Sequence, residues 1–301
     1  MFDLRYHVAS LAAVFIALAV GIILGVAISG KVGGAEDALN AYTIRQLQDD
    51  LASQKESVES DEARLDSLDT YVDRTYGELV TDRLAGTAVA IVVLGRASDG
   101  VRNAVTTTLD DAGAVSARTV ALDVPVDSRA LTEFLKQQEA LSKYAGDFGA
   151  LGRALGEELV KGTGDEAILP TIQEELVEEL QGSTTAQVDG VVVVRGWRAS
   201  TNDRPGDDRA TENLLDGVVD GLKSQGVPVV GVTTSSLQGA RAVQTEYRQG
   251  GISTVDDVDY RSGRLALALL LDGARTGNYG FIMDDDDGAI PPLTQQEPGG
   301  G

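Results

Sequence analysis

Four runs of aliphatic and β-branched residues, at 88–94 (AVAIVVL), 115–122 (VSARTVAL), 190–194 (GVVVV) and 227–232 (VPVVGV), constrain this chain more than any other feature. A shorter run follows at 252–255 (ISTV). Most lack the strict apolar–polar alternation of a strand with one wet face, so they read as strands covered on both sides. Between them, segments near 101–112, 128–143, 166–181, 209–224 and 263–274 have the spacing of amphipathic helices. Buried strands alternating with helices predict an α/β domain built on a Rossmann-like, mostly parallel sheet. The stretch 145–164 is glycine-rich and reads as an insertion or a loosely packed helix.

Composition narrows the chemistry. Basic residues number 25 and acidic ones 47, a net charge of −22, which opposes binding to a phosphate backbone, so no nucleic-acid partner is expected. With no cysteine there is no disulfide, thiolate nucleophile or Cys-ligated zinc. The one histidine, His7, lies near the N-terminus, which removes imidazole catalysis from the rest of the chain. Gly25, Gly30 and Lys31 have the spacing of a phosphate-binding loop, but Val32 stands where Ser or Thr is required. Neither GxGxxG after residues 88–94 nor GxSxG is present. The reading is therefore a non-enzyme, with no catalytic residue, cofactor or metal ligand assigned. Residues 284–301, DDDDGAIPPLTQQEPGGG, read as a disordered acidic tail.

Residues 8–28 carry no charge for 21 positions, enough helix at 1.5 Å per residue to span about 31 Å of bilayer. Residues 1–31 are accordingly expected to form a single transmembrane helix, retained rather than cleaved, since signal peptides have apolar regions of about 7–15 residues. That makes the chain a single-pass cell-membrane protein with its C-terminal domain outside the cytoplasm, although Arg5 and Lys31 nearly tie in setting the orientation. Gly21 and Gly25 form a GxxxG, a pattern that lets two helices pack closely in lipid.

Residues 32–85 read as a coiled-coil stalk. With Ile44 at heptad position a, Leu51, Val58, Leu65, Val72 and Leu79 share that position, while Leu47 and Leu68 occupy d positions. In a parallel homodimer Asp50 would face Lys55 and Arg64 would face Asp69, but Asp61 would meet its own copy in the seam. A partner helix from another protein, or a helix folded onto its own domain, is the alternative. Residues 86–283 make the α/β domain. Open parallel sheets bind ligands beyond their strands' carboxyl ends, and Arg96, Arg195, Trp197 and Thr234 lie there, a possible pocket for an anion or carboxylate.

Residues 10–25 (SLAAVFIALAVGIILG), the heptad segment and residues 252–271 (ISTVDDVDYRSGRLALALLL) together resemble the actinobacterial copper transporter family, that of the mycobacterial copper transport protein B. The resemblance implies a cell-envelope protein of copper transport or homeostasis. It also implies a kinship with proteins of cell separation that work beside a membrane partner and wall hydrolases. Copper(I) favours thiolate and thioether ligands, and beyond residue 31 the chain offers no Cys, no His and one Met, Met283. The expected role is thus a dimeric scaffold of that family. The alternative is an envelope interaction protein for cell separation or wall remodelling without a copper role.

Overall fold

The four apolar runs all contribute strands. In the computed structural model, which describes residues 4–28, 34–164, 167–196, 205–237, 239–284 and 286–293, they contain β1 (Ala88–Leu94), β2 (Val115–Leu122), β4 (Gly190–Arg195) and β5 (Val229–Val232). The short run contains β6 (Ser253–Val255), and β3 (Val177–Gly182) and β7 (Asn278–Tyr279) complete a seven-stranded sheet in the order β3-β2-β1-β4-β5-β6-β7. Every neighbouring pair is parallel except β2 with β3, which is antiparallel.

The chain forms two units, Met1–Val72 and Asp73–Gly301. The first holds helix α1 (Leu4–Ile28) and most of α2 (Gly34–Val80), whose last turns belong to the second unit. In the second unit, successive residues of β1 point to opposite faces, as a pleat requires. Ala90, Val92 and Leu94 enter one core with α4 (Ser128–Gln137), α5 (Phe148–Lys161), α6 (Leu169–Leu176), α7 (Pro205–Lys223) and α8 (Ala240–Gln249). Val89, Ile91 and Val93 enter the other with α3 (Asp99–Asp111) and α9 (Arg261–Leu271). Tyr76, Val80 and Leu84, inside the segment read as stalk, are buried in that second core, so the head extends back to Asp73.

The glycine-rich stretch proves to be the most closely packed helix of the head. A Cβ at Gly152 of α5 would lie 2.1 Å from the Leu214 carbonyl oxygen of α7, and one at Gly156 would lie 2.3 Å from that of Val218. In return, a Cβ at Gly217 or Gly221 of α7 would lie 2.2 or 2.1 Å from the carbonyl oxygens of Gly149 and Arg153. The two helices therefore touch backbone to backbone, an approach only hydrogen side chains permit.

The structure overturns several expectations. The expected transmembrane helix is not supported: among the described residues no helix is long and apolar enough to cross a membrane. Gly21 and Gly25 lie in α1 with nothing within 4 Å of a Cβ built on either, so their small face is open within the chain. The helix expected at 166–181 stops at Leu176. Beyond it β3 pairs with β2, Val120 opposite Leu180, and is held by Arg102 to Glu179 and by the buried Arg118 guanidinium to the carbonyls of Thr184 (3.2 Å) and Ala186. The acidic run is partly folded: Asp286 is 5% exposed and ion-paired with Arg248, while Asp287 accepts the Asn278 N–H at 2.8 Å. Residues 294–301 of the expected tail lie outside the described residues.

Gly156→Ala should lower stability by at least about 2 kcal/mol, because the overpacking against backbone outweighs alanine's helix preference of about 1 kcal/mol. Gly77→Ala, in helix α2 with open space around it, should leave stability equal or raise it by up to about 1 kcal/mol. Urea-unfolding midpoints of the two variants check the contrast; equal midpoints would remove the backbone seam.

Candidate functional site

The carboxyl ends of β1 and β4 flank the point where the strand order reverses, the usual place for a crevice. Here the two strand ends approach closely through their backbones. The Gly196 N–H donates to the Leu94 carbonyl at 2.9 Å, and a Cβ at Gly196 would lie 1.8 Å from the Arg96 carbonyl oxygen. The Arg96 side chain is 85% exposed and pairs with Glu178 of β3 at 3.6 Å. Arg195, buried, places Nε 2.9 Å from Glu246 of α8 and Nη1 4.0 Å from Asp216 of α7. The two guanidiniums thus take partners on different elements. Thr234 is buried on the loop after β5, its hydroxyl 3.4 Å from that of Ser236. Trp197 lies outside the described residues.

Arg195 instead lines a cleft of about 470 Å³ between α7 and α8, together with Glu212, Asp216, Asp220, Glu246 and Tyr247. Burial pushes the Asp216 carboxyl above its ordinary value, with Arg195 opposing and Asp220 reinforcing the shift. The fully buried Tyr247 hydroxyl accepts the Arg195 N–H at 2.5 Å and donates to the Val193 carbonyl at 3.1 Å, and burial raises its pKa. Its ring lies over Gly231 of β5, where a Cβ would approach within 2.6 Å.

A denser polar cluster sits one strand further on, at the carboxyl end of β6. The turn Asp256-Asp257-Val258-Asp259 follows β6 directly, and each of its carboxylates joins it to a different neighbour. Asp256 accepts the backbone N–H groups of Phe281, Ile282 and Met283 at 3.0, 2.9 and 3.2 Å, which pins the segment after β7. Gly280 enters that segment at φ +140°, and a Cβ there would strike the Asp256 carboxylate at 1.7 Å. Asp259 accepts from the Ser235 N–H (2.8 Å) and hydroxyl (2.6 Å), tying the turn to the loop after β5. Gln244 of α8 adds a second tie, donating to the Thr233 hydroxyl at 2.8 Å and the Val255 carbonyl at 3.1 Å.

Asp257 is fully buried. It accepts the Ser262 hydroxyl at 2.9 Å, while its Oδ1 has no hydrogen-bond partner among the described residues. Burial pushes its pKa to about 7; the Ser262 bond opposes this, and Asp256 and Asp259 add to it. Asp286 is likewise raised, to about 6, by burial and then by the neighbouring Asp256 carboxylate, against the Met283 N–H and Arg248.

The other polar groups of this cluster bond mostly to its own backbone and hydroxyls, with Gln244 Oε1 a second buried oxygen without a hydrogen-bond partner among the described residues. The cluster joins β5, β6, α8, α9 and the segment after β7. Among the described residues no group of three or more His, Cys, Asp or Glu side chains could hold a metal ion. The sequence did carry a signal for the cluster: three aspartates in four positions immediately after a β-branched run, in the same segment that carries the family resemblance.

Because the folded pKa of Asp257 is raised, its contribution to stability is fully present below the unfolded value of about 4 and is lost as pH rises through about 7. Asp257→Asn keeps an acceptor for Ser262 and does not ionise. It should unfold at a higher urea midpoint than the parent at pH 8, by on the order of 2–4 kcal/mol, with the difference shrinking toward pH 4. A difference independent of pH would contradict the buried, titrating carboxyl.

Comparison with known proteins gives one family. Residues 1–291 match the family described as copper transport outer membrane protein, MctB. No curated protein matches the chain. The match covers nearly all 301 residues, so the chain belongs to the MctB family, as its sequence resemblance implied, and membership makes it an envelope-associated protein of copper transport or homeostasis.

Proposed function

Proceeding from that membership, we propose that the chain serves copper transport or homeostasis as a dimeric scaffold rather than as a copper-binding or catalytic protein. The observation that carries this reading is the apolar seam of α2. Leu47, Leu51, Val58 and Val72, all at a or d positions, are 37–44% exposed, and Ile44 is half-buried. An apolar stripe at heptad spacing along a charged helix gains about 1.5–3 kcal/mol for each large side chain fully covered by a second helix. A parallel copy also sets Asp50 opposite Lys55, whose ammonium within the single chain has only an exposed pair with Glu59 at 3.7 Å. The second unit then acts as the head through which the dimer meets envelope proteins.

The donor set supports a second reading, an envelope interaction protein for cell separation or wall remodelling with no copper role. Beyond residue 31 the chain has no Cys or His and only Met283 as a soft ligand. Copper sensitivity of a strain lacking the protein separates the two readings. Sensitivity without tight copper(I) binding by the protein supports the scaffold in copper homeostasis, and normal copper tolerance with a cell-separation defect supports the second.

The dimer is tested by sedimentation of residues 34–301. This fragment should be dimeric, the fragment 73–301 monomeric, and Leu51→Glu/Val58→Glu should convert the longer fragment to a monomer with its head still folded. A monomer for the unsubstituted longer fragment would sink the scaffold reading.

A further inference from the structure

At the carboxyl end of β6, two aromatic rings stand in water. Tyr260 and Phe281 are 52% and 54% exposed; among the described large apolar side chains of the second unit, only Val115 and Leu293 match them. The two rings meet edge to face, centroids 5.1 Å apart and planes at 77°. Both are anchored from beneath. The Phe281 N–H donates to the buried Asp256 carboxylate at 3.0 Å, and the Tyr260 N–H donates to the Asp257 carbonyl at 2.7 Å. The pair is a preorganised platform, so a partner that covers it need not order the backbone beneath it.

The surroundings select the partner's charge. Residues 256–264 and 280–287 contain seven carboxylates and two arginines; Asp256 and Asp257 are buried, and the Asp286 side chain, 5% exposed, pairs with Arg248 of α8. Both arginines are engaged within the head. Arg261 pairs with Asp73 and lies over the Tyr76 ring at 5.2 Å, and Arg264 Nε donates to the Val258 carbonyl at 3.3 Å. Asp284, paired with Arg241 of α8 at 3.7 Å, is 97% exposed beside the platform's own segment, and the whole chain carries −22. Aromatic faces rimmed by carboxylates attract a cation twice, through the ring quadrupole and through the net field.

We propose that the Tyr260–Phe281 pair, with its acidic rim, is a docking surface for a basic segment of a partner protein, an arginine or lysine seated on the rings and its aliphatic neighbours along their edges. This rests on the reading of the second unit as a protein-binding head and gives that head a specific surface and a partner chemistry. Exposed, fixed aromatics are the side chains that most often dominate an interface, and a field of one sign steers the partner's approach.

The test is fluorescence anisotropy of the full chain with a labelled peptide of alternating arginine and leucine, and with its glutamate counterpart, at physiological ionic strength. The arginine peptide should bind with a Kd below about 100 µM. Tyr260→Ala/Phe281→Ala should weaken it about tenfold or more, while Val115→Ala, an equally exposed site at the start of β2, and Tyr260→Phe should leave it unchanged. Urea midpoints of the variants confirm that the head stays folded. Equal binding of the glutamate peptide, an equal loss in Val115→Ala, or full binding by the double alanine variant would each overturn the proposal. So would a change in the chain's own sedimentation on removing the two rings, which would assign the platform to a second copy. Sedimentation of the heptad variant reads the dimer separately, so loss of the platform with an intact dimer leaves the scaffold standing.

Discussion

A parallel sheet has no tolerance for an uncovered face, and this head is organised around meeting that demand at β1 and β4. Nearly every side chain of these two strands is buried, alternately in one core and the other. Removing the cover from either side would expose a continuous aliphatic surface at about 25 cal/mol per Å². Five helices supply one layer. On the other side α3 and α9 cover part of the face, and the last turns of α2 with Leu84 join them. The segment leading out of the first unit is thus a structural part of the head.

Close approach is the second theme. Glycines at 152, 156, 217 and 221 let α5 and α7 touch along their backbones, Gly231 admits the Tyr247 ring against β5, and Gly196 lets the chain after β4 close on Arg96. That last contact lies at the strand ends where the sheet order reverses. The polar residues at the neighbouring strand ends are turned to internal use. Asp256, Asp259 and Gln244 join segments that arrive there from distant parts of the chain. What this end offers outward is an aromatic pair held rigid by that bonding, a geometry suited to contacting a protein.

Much of the fold was legible in the sequence, and the exceptions have physical causes. The β-branched runs found their strands because a strand buried on both faces needs nothing from elsewhere to be recognised. Residues 177–182 (VEELQG) carry helix-favouring glutamates, yet form an edge strand because β2 and the cations of Arg102 and Arg118 lie beside them. The acidic run from Asp284 has the composition of a solvated tail, but Arg248 and Asn278 take up two of its carboxylates. The candidate pocket residues Arg96, Arg195 and Thr234 lie at or just beyond the carboxyl ends of β1, β4 and β5. The sequence could not indicate that Arg96 and Arg195 would take different partners, since Glu178 and Glu246 are remote from both.

By itself the sequence determined the strand runs, the heptad stripe along α2, the acidic charge and the absence of thiolates and imidazoles beyond residue 31. These are properties of local periodicity and composition, which each segment carries wherever it folds. The tertiary structure alone decided which glycines are contacts, which carboxylates are buried and which aromatics stay in water. Each of those outcomes depends on a neighbour far away in the chain: Leu214 for Gly152, Phe281 for Asp256, Arg248 for Asp286.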